Sequence, residues 1–263
     1  MRGAPAAVLA LARREMVRFW RERTRVFGAL LQPVLFWVLF AAGLGASFRP
    51  AGSGGSGYGL YLFPGTVVLI LLFTAIFSTI SVIEDRREGF LQGALVAPVP
   101  RSAIVLGKVL GGTALAVAQA GLVLMAAPLL GLRPGLTGWA VAIAILFLLA
   151  FGLTSLSFCI AWSMRSTQGF HAIMTVFLMP LWLLSGAFFP AAGAPPWLRV
   201  LMAVDPLTYG LAALRHAIDP GTGPAVSGLP SPVFALGVTL LFALAVFIVA
   251  IVLARKPETG RSA

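Results

Sequence analysis

Apolar runs recur along this chain at residues 27–47, 60–83, 109–130, 139–162, 170–188 and 233–254, each bounded by charge, glycine or proline. Runs of roughly 20 residues are long enough to cross a hydrocarbon layer of about 30 Å as helices. The pattern predicts an all-α integral membrane fold, a single transmembrane domain over residues 1–263 with six transmembrane helices. An even number of crossings puts both termini on one side.

Two segments depart from this plan. Over residues 5–25, Leu9, Ala12, Met16, Phe19 and Trp20 recur at helical spacing while Arg14, Arg18, Arg21 and Arg25 recur on the opposite side. That periodicity predicts an N-terminal amphipathic helix at the membrane interface, the simpler alternative being a solvated basic tail. Over residues 191–232, apolar stretches at 197–204 and 207–218 are broken by Arg199, Asp205-Pro206 and Arg215. Stretches of about 10 to 14 residues are too short to span. They predict an external re-entrant helical pair that caps the mouth of a pathway, with an ordinary external loop as the other reading. Residues 52–59 are expected to form a flexible external loop.

Composition sharpens the membrane assignment. The chain is 59% hydrophobic and 10% charged, with a net charge of +11, whereas soluble domains carry about 25% charged residues. In a soluble protein that basicity would suggest nucleic acid. Here the basic residues flank the apolar runs, so they read as topology signals and no nucleic-acid partner is expected. With both termini on the cytoplasmic side, only Arg49, Arg133, Arg199 and Arg215 of the 19 Lys and Arg face outward. That bias predicts a multi-pass membrane protein with both termini cytoplasmic. Trp139 and Trp162 bracket the fourth run as an interfacial belt would. Arg13 to Arg25 precede a full-length apolar run with no cleavage-site pattern, so the first span is expected to be retained. The single cysteine, Cys159, admits no intrachain disulfide and reads as a packing residue.

No Asp, Glu, Lys or Arg falls inside the six predicted spans, which argues against a proton or sodium relay. His171 and His216 sit toward opposite ends and are expected to be ordinary interfacial side chains, so neither metal-binding nor catalytic residues are anticipated. Gly107-Lys108 is followed by Val109, and Ala103 stands where a phosphate-cradling loop needs glycine. A transporter without an ion relay or a nucleotide site draws its free energy from another chain. Residues 84–101 then become informative. Glu84, Asp85, Arg86, Arg87 and Glu88 form a charged cluster, followed by Gly89, Phe90, Leu91, Leu95 and Val96 before Pro98. Two turns of helix ending at proline would carry Phe90, Leu91 and Leu95 as an apolar knob suited to a partner's groove, a plain interfacial loop being the alternative.

The stretch from Glu84 through Lys108, ending in PVPRSAIVLGK, resembles the cytoplasmic loop and third-span entry of type-2 ABC transporter permeases. PLWLLSGAFFP over residues 180–190, continuing through Pro195, Pro196, Trp197, Asp205, Pro206, Tyr209 and Arg215, resembles the same family's fifth span and external segment, most closely in the drug-resistance and lipo-oligosaccharide export branch. Asp205, where many relatives carry Asn, and Gln92-Gly93 are departures from the family pattern. The resemblance implies a subunit that pairs with a second copy of itself or a homologous permease, and with two copies of a cognate ABC ATPase. ATP and Mg would sit on that ATPase, with no cofactor on this chain. It further implies that residues 5–25 and the 84–101 coupling loop touch the ATPase, and that spans one, two and five line the path of an amphipathic drug, lipid or lipid-linked glycan.

Thr74, Ser78 and Ser81 share one face of the second span and either touch substrate or pack helices together. Phe177 and Trp182, with Phe36, Trp37, Phe73 and Phe77, offer an aromatic, uncharged path. Gly107 and Gly111 form a small-residue packing pair, and Pro33, Pro128 and Pro180 are expected to kink or end helices. Two rival functions remain: an intramembrane lipid-modifying enzyme using Glu84, Asp85 and Glu88 as metal ligands, and an ATP-independent channel.

Overall fold

The computed structural model describes residues 4–45, 57–96, 99–219 and 229–255. Pro98, the side chain of Leu95, Arg2, Arg49, Lys256, Arg261 and residues 52–56 of the glycine-rich loop lie outside the described residues. The helices are α1 (Ala4–Arg21), α2 (Arg23–Leu44), α3 (Tyr58–Arg87), α4 (Phe90–Val96), α5 (Arg101–Leu124), α6 (Leu136–Ser163), α7 (Thr167–Trp182), α8 (Pro196–Val204), α9 (Pro206–Ile218) and α10 (Pro232–Arg255). Among the described residues, six helices are long and apolar enough to cross a membrane: α2, α3, α5, α6, α7 and α10. The protein is an all-α integral membrane protein. Within such a layer every backbone polar group must be satisfied inside its own helix, and uninterrupted helices do this.

The run of α3 carries no charged side, and its helix is the centre of the bundle, with Val67, Val68, Ile70, Leu71 and Ala75 all fully buried. Helices α2, α5, α6 and α7 surround it, and α10 packs on α6. By contrast α2, α7 and α10 leave one apolar side open, as Leu35, Leu39, Val176, Phe177 and Leu241 illustrate. Open apolar sides on spanning helices suit contact with lipid tails or another bundle.

The ends of the elements have local causes. Pro196 and Pro206 occupy the first turns of α8 and α9, where a missing N–H costs nothing. The Asp205 carboxylate accepts from the Leu207 N–H at 2.9 Å and caps α9. Pro180 lies near the end of α7, which passes into a π turn (Leu183–Ala187) and stops at Gly186, whose φ of 80° favours glycine. Helices α8 and α9 meet at 81°. Gly210 of α9 packs on Leu149 midway along α6, and Ala217 packs on Gly138 near the start of α6. The second arm therefore climbs from inside the bundle to its edge.

Several boundaries differ from the sequence expectation. The 5–25 helix is interrupted at Glu22, where φ is −92° and ψ is 75°, so Arg25 stands in the first turn of α2. No glycine or proline marks that break. Helix α3 continues through Glu84, Asp85, Arg86 and Arg87, and α5 starts at Arg101 and includes Lys108. The helices thus run past the expected spans 60–83 and 109–130, and their added ends carry charges that ion pairs and helix-end carbonyls satisfy. Trp162 is not a lipid-facing belt residue, being 9% exposed and stacked on Phe158 with 5.4 Å between ring centroids.

Candidate functional site

At the arginine-rich end of the bundle, α1 lies against α5 because glycine permits it. A methyl group on Gly107 would stand 2.8 Å from the Leu11 Cβ, and one on Gly111 would stand 2.7 Å from the Glu15 Cβ. Close approach of small residues is a usual means of packing helices in membranes. The face of α1 turned inward holds Ala12, Glu15 and Phe19 at intervals of three and four residues.

That approach assembles a buried ionic cluster. Asp85 is 0% exposed and accepts from three cations. Arg14 reaches it bidentately, with Nη2 donating at 2.7 Å and Nη1 at 2.9 Å. Arg18 Nη1 donates at 2.6 Å and Lys108 Nζ at 2.6 Å. Lys108, 5% exposed, also donates to Glu15 at 2.8 Å. Arg18 donates in addition to Glu84 at 2.8 Å and Glu88 at 3.3 Å, and Arg25 binds Glu84 and, at 2.6 Å, Glu22. Five of the eight acidic residues of the protein, Glu15, Glu22, Glu84, Asp85 and Glu88, thus gather around the ends of α1, α2, α3 and α5. The hydrogen bonds to Asp85 raise the Arg14 pKa above its ordinary value, outweighing burial. The arrangement works as an electrostatic clamp.

The next arginines use a different partner. Arg86 donates to the Met164 and Trp162 carbonyls at 3.0 and 2.7 Å, and Arg87 donates to the Arg165 carbonyl at 2.8 Å. Arg101 donates to the Ala254 and Arg255 carbonyls at 3.0 and 3.1 Å. The last carbonyls of a helix lack partners within it, so these contacts close the ends of α6 and α10.

Phe90 and Leu91 do not project together as one knob. Leu91 is 1% exposed and belongs to the core. Phe90 is half-covered, with the Arg14 guanidinium 3.7 Å from its ring centroid, and Val96 is the exposed apolar residue of α4. Gly89, with φ of 80°, makes the turn between α3 and α4. On α1, the expected division into an apolar and a basic side is also corrected. Leu9 and Trp20 face outward, while Arg14 and Arg18 turn toward carboxylates; Arg21 remains exposed. Glu15, Glu22 and Lys108 are the cluster members that spacing alone passed over. The available signal was Glu15, an acid in phase with Ala12 and Phe19.

At the opposite end, the Gly186 carbonyl accepts from the Tyr61 hydroxyl at 2.7 Å and from Arg215 Nη2 at 3.0 Å. Arg215 is 5% exposed and lies 4.1 Å from the Tyr61 ring centroid. Trp182 Nε1 donates to the Gly65 carbonyl at 2.8 Å. Tyr209 donates to the Ala203 carbonyl at 2.7 Å, joining α9 to α8, and Trp197 is exposed next to Pro195 and Pro196. These contacts tie α3, α7 and the bent pair together.

The hydroxyls of α3 lie between helices. Thr74 donates to the Gln119 side-chain carbonyl at 2.6 Å, Ser78 to the Ala75 carbonyl at 3.1 Å, and Ser81 is 3.5 Å from Lys108 Nζ. All three are buried, whereas Phe177 is half exposed. The structure does not bring Thr74, Ser78, Ser81, Phe177 and Trp182 to one surface of the single chain.

The family profile described as ABC-2 type transporter matches residues 6–218. The putative transport permease ycf38 of Porphyra purpurea is 27% identical over 213 residues, covering 79% of this chain and 72% of the relative. Nodulation protein J of Sinorhizobium fredii is 27% identical over 237 residues, covering 84% and 88%. The daunorubicin resistance ABC transporter permease protein DrrB1 of Streptomyces coeruleorubidus is 22% identical over 222 residues, covering 84% and 77%.

Proposed function

The chain belongs to the ABC-2 type transporter family, a permease subunit of an ABC transporter, and from that premise we propose that it exports an amphipathic drug, a lipid or a lipid-linked glycan from the cytoplasm. ATP hydrolysis by a separate ATPase subunit supplies the work, with ATP and Mg bound there and no cofactor on this chain. Two ATPase copies serve two permeases, this chain and a second copy or homologue. The setting is the bacterial inner membrane, with both termini cytoplasmic as the arginine distribution favours.

The observation that carries this reading is the joint at the arginine-rich end. Helix α4 is anchored by buried Leu91 yet keeps Phe90 and Val96 at its surface, while Arg14 touches both the Phe90 ring and the Asp85 carboxylate. A partner that moves α4 therefore moves α1 and α3 as well. In the mechanism, closure of the ATPases displaces the segment from Glu84 to Pro98, α3 tilts, and the bent pair from Pro195 to Arg215 opens. Cargo then passes along the open side of α2 and α7, where Phe177 and its neighbours supply an apolar wall, between this subunit and its partner. Relatives named for drug resistance support such cargo. The lipid-modifying alternative is disfavoured because Glu84, Asp85 and Glu88 are each engaged by arginine, leaving no open carboxylate set.

Reconstitution in proteoliposomes tests the proposal. ATP-dependent movement of a fluorescent amphipathic drug is expected only when the cognate ATPase is present, and Val96→Glu is expected to abolish its binding. Transport by the isolated chain would overturn the coupling scheme.

A further inference from the structure

The edge of α1 beside the ionic cluster carries a second arrangement that the coupling scheme does not use. Arg13 and Arg21 are exposed and have neither an ion pair nor a side-chain hydrogen bond among the described residues. They border an open hollow of about 700 Å³ whose other charged walls are Arg14, Arg18, Glu22 and Glu88. Those four are already engaged: Arg14 by Asp85, Arg18 by Asp85 and Glu84, Glu22 by Arg25, and Glu88 by Arg18. The charge left over in the hollow is that of Arg13 and Arg21, so it favours an anion.

The surroundings say which kind. At about 100° per residue, Leu9 and Trp20 lie within about 20° of each other on α1, followed by Arg13, then Val17, then Arg21. Leu9 is 70% exposed and Trp20 59%, with no covering element among the described residues. One edge of the helix is thus apolar and aromatic, and the adjoining edge is cationic and concave. A soluble acidic peptide would have no use for the exposed Leu9 and Trp20. A phospholipid with an anionic headgroup matches both edges: phosphate in the hollow, acyl chains beside Leu9, and the indole at the level where tryptophan prefers to sit. We propose that α1 holds an anionic phospholipid headgroup through Arg13 and Arg21, making the joint at this end of the bundle sensitive to the charge of the leaflet it faces. Because the same hollow is walled by Arg14, Arg18 and Glu88, the headgroup abuts the ionic cluster directly. The inference rests on α1 lying at a membrane surface but does not require an ATPase.

Native mass spectrometry of the full chain in neutral detergent, supplied with equal amounts of phosphatidylglycerol and phosphatidylcholine, provides the test. Each basic side chain near an anionic surface contributes roughly fivefold, so the wild-type preference for phosphatidylglycerol is expected to fall by about 25-fold in R13Q/R21Q. R13K/R21K is expected to keep most of it, and R133Q, at the far end of the bundle, to leave it unchanged. Unaltered preference in R13Q/R21Q would overturn the site. So would loss of bound phosphatidylglycerol on adding millimolar inorganic phosphate, which would mark a free-phosphate site, or its displacement by the cognate ATPase, which would mark a protein contact. A chain that keeps the lipid preference but binds no ATPase would sink the coupling scheme and leave this inference standing.

Discussion

Asp85 and Lys108 neutralise each other where both are buried, and each is expensive to leave alone. Asp85→Asn strips Arg14, Arg18 and Lys108 of their shared acceptor, and a loss of about 3 kcal/mol is expected, read as a fall in the melting temperature of the purified chain in detergent. Adding Lys108→Met to Asp85→Asn should not restore that loss, since the ammonium still pairs with buried Glu15 at 2.8 Å and its removal leaves that carboxylate short of a cation. If Asp85→Asn melted like the wild type, the cluster would have no structural weight. The charges themselves were visible in the sequence, but their pairing was not. Asp85 and Lys108 both sat at expected membrane borders, where a charge ordinarily faces water, and only the approach of α1 converts them into a buried pair.

Between elements, the contact of α1 with α5 depends on two missing side chains. Gly107→Val or Gly111→Val forces a branched side chain into backbone and Cβ atoms nearer than 3.1 Å, so α1 is expected to lift away. Limited trypsin digestion in membranes should then cut at Arg14 and Arg18, which are shielded in the wild type; unchanged cleavage would refute the packing. At the other end, Gly186→Ala places a methyl group on a left-handed residue and is expected to cost about 1 kcal/mol, seen in thermal unfolding. The six apolar helices were legible because lipid imposes length and hydrophobicity on each of them independently. The phase of α1 was not. Amphipathicity identified a two-sided helix, but which side meets protein follows from α5, whose glycines attract the stripe of Ala12, Glu15 and Phe19. The same holds for α4, where Leu91 turned inward because the core had room for it.

For the whole molecule, a single crossing, that of α5, separates Gln92 from Gly135, both exposed. With Cys159 buried, Gln92→Cys and Gly135→Cys become single-site labels. An impermeant maleimide added to sealed right-side-out vesicles is expected to modify Gly135→Cys at once and Gln92→Cys only after lysis; the reverse order would invert the topology. The bend of α8 and α9 was anticipated from two short apolar stretches around Asp205-Pro206, yet its attachment through Arg215 to Tyr61 and Gly186 was not, because a lone arginine in an external segment gives no hint of a carbonyl partner. Helix α3 runs without a break from Gly65, whose carbonyl holds Trp182, to Asp85 in the clamp. Twenty residues make that stretch about 30 Å long. A rod of that length pivoting about its middle by roughly 8° shifts each tip by about 2 Å, more than a hydrogen bond tolerates. Such a swing would loosen the carboxylate grip at one tip and the indole tether at the other in a single movement, so the two ends of this subunit cannot unfasten independently so long as the rod stays straight.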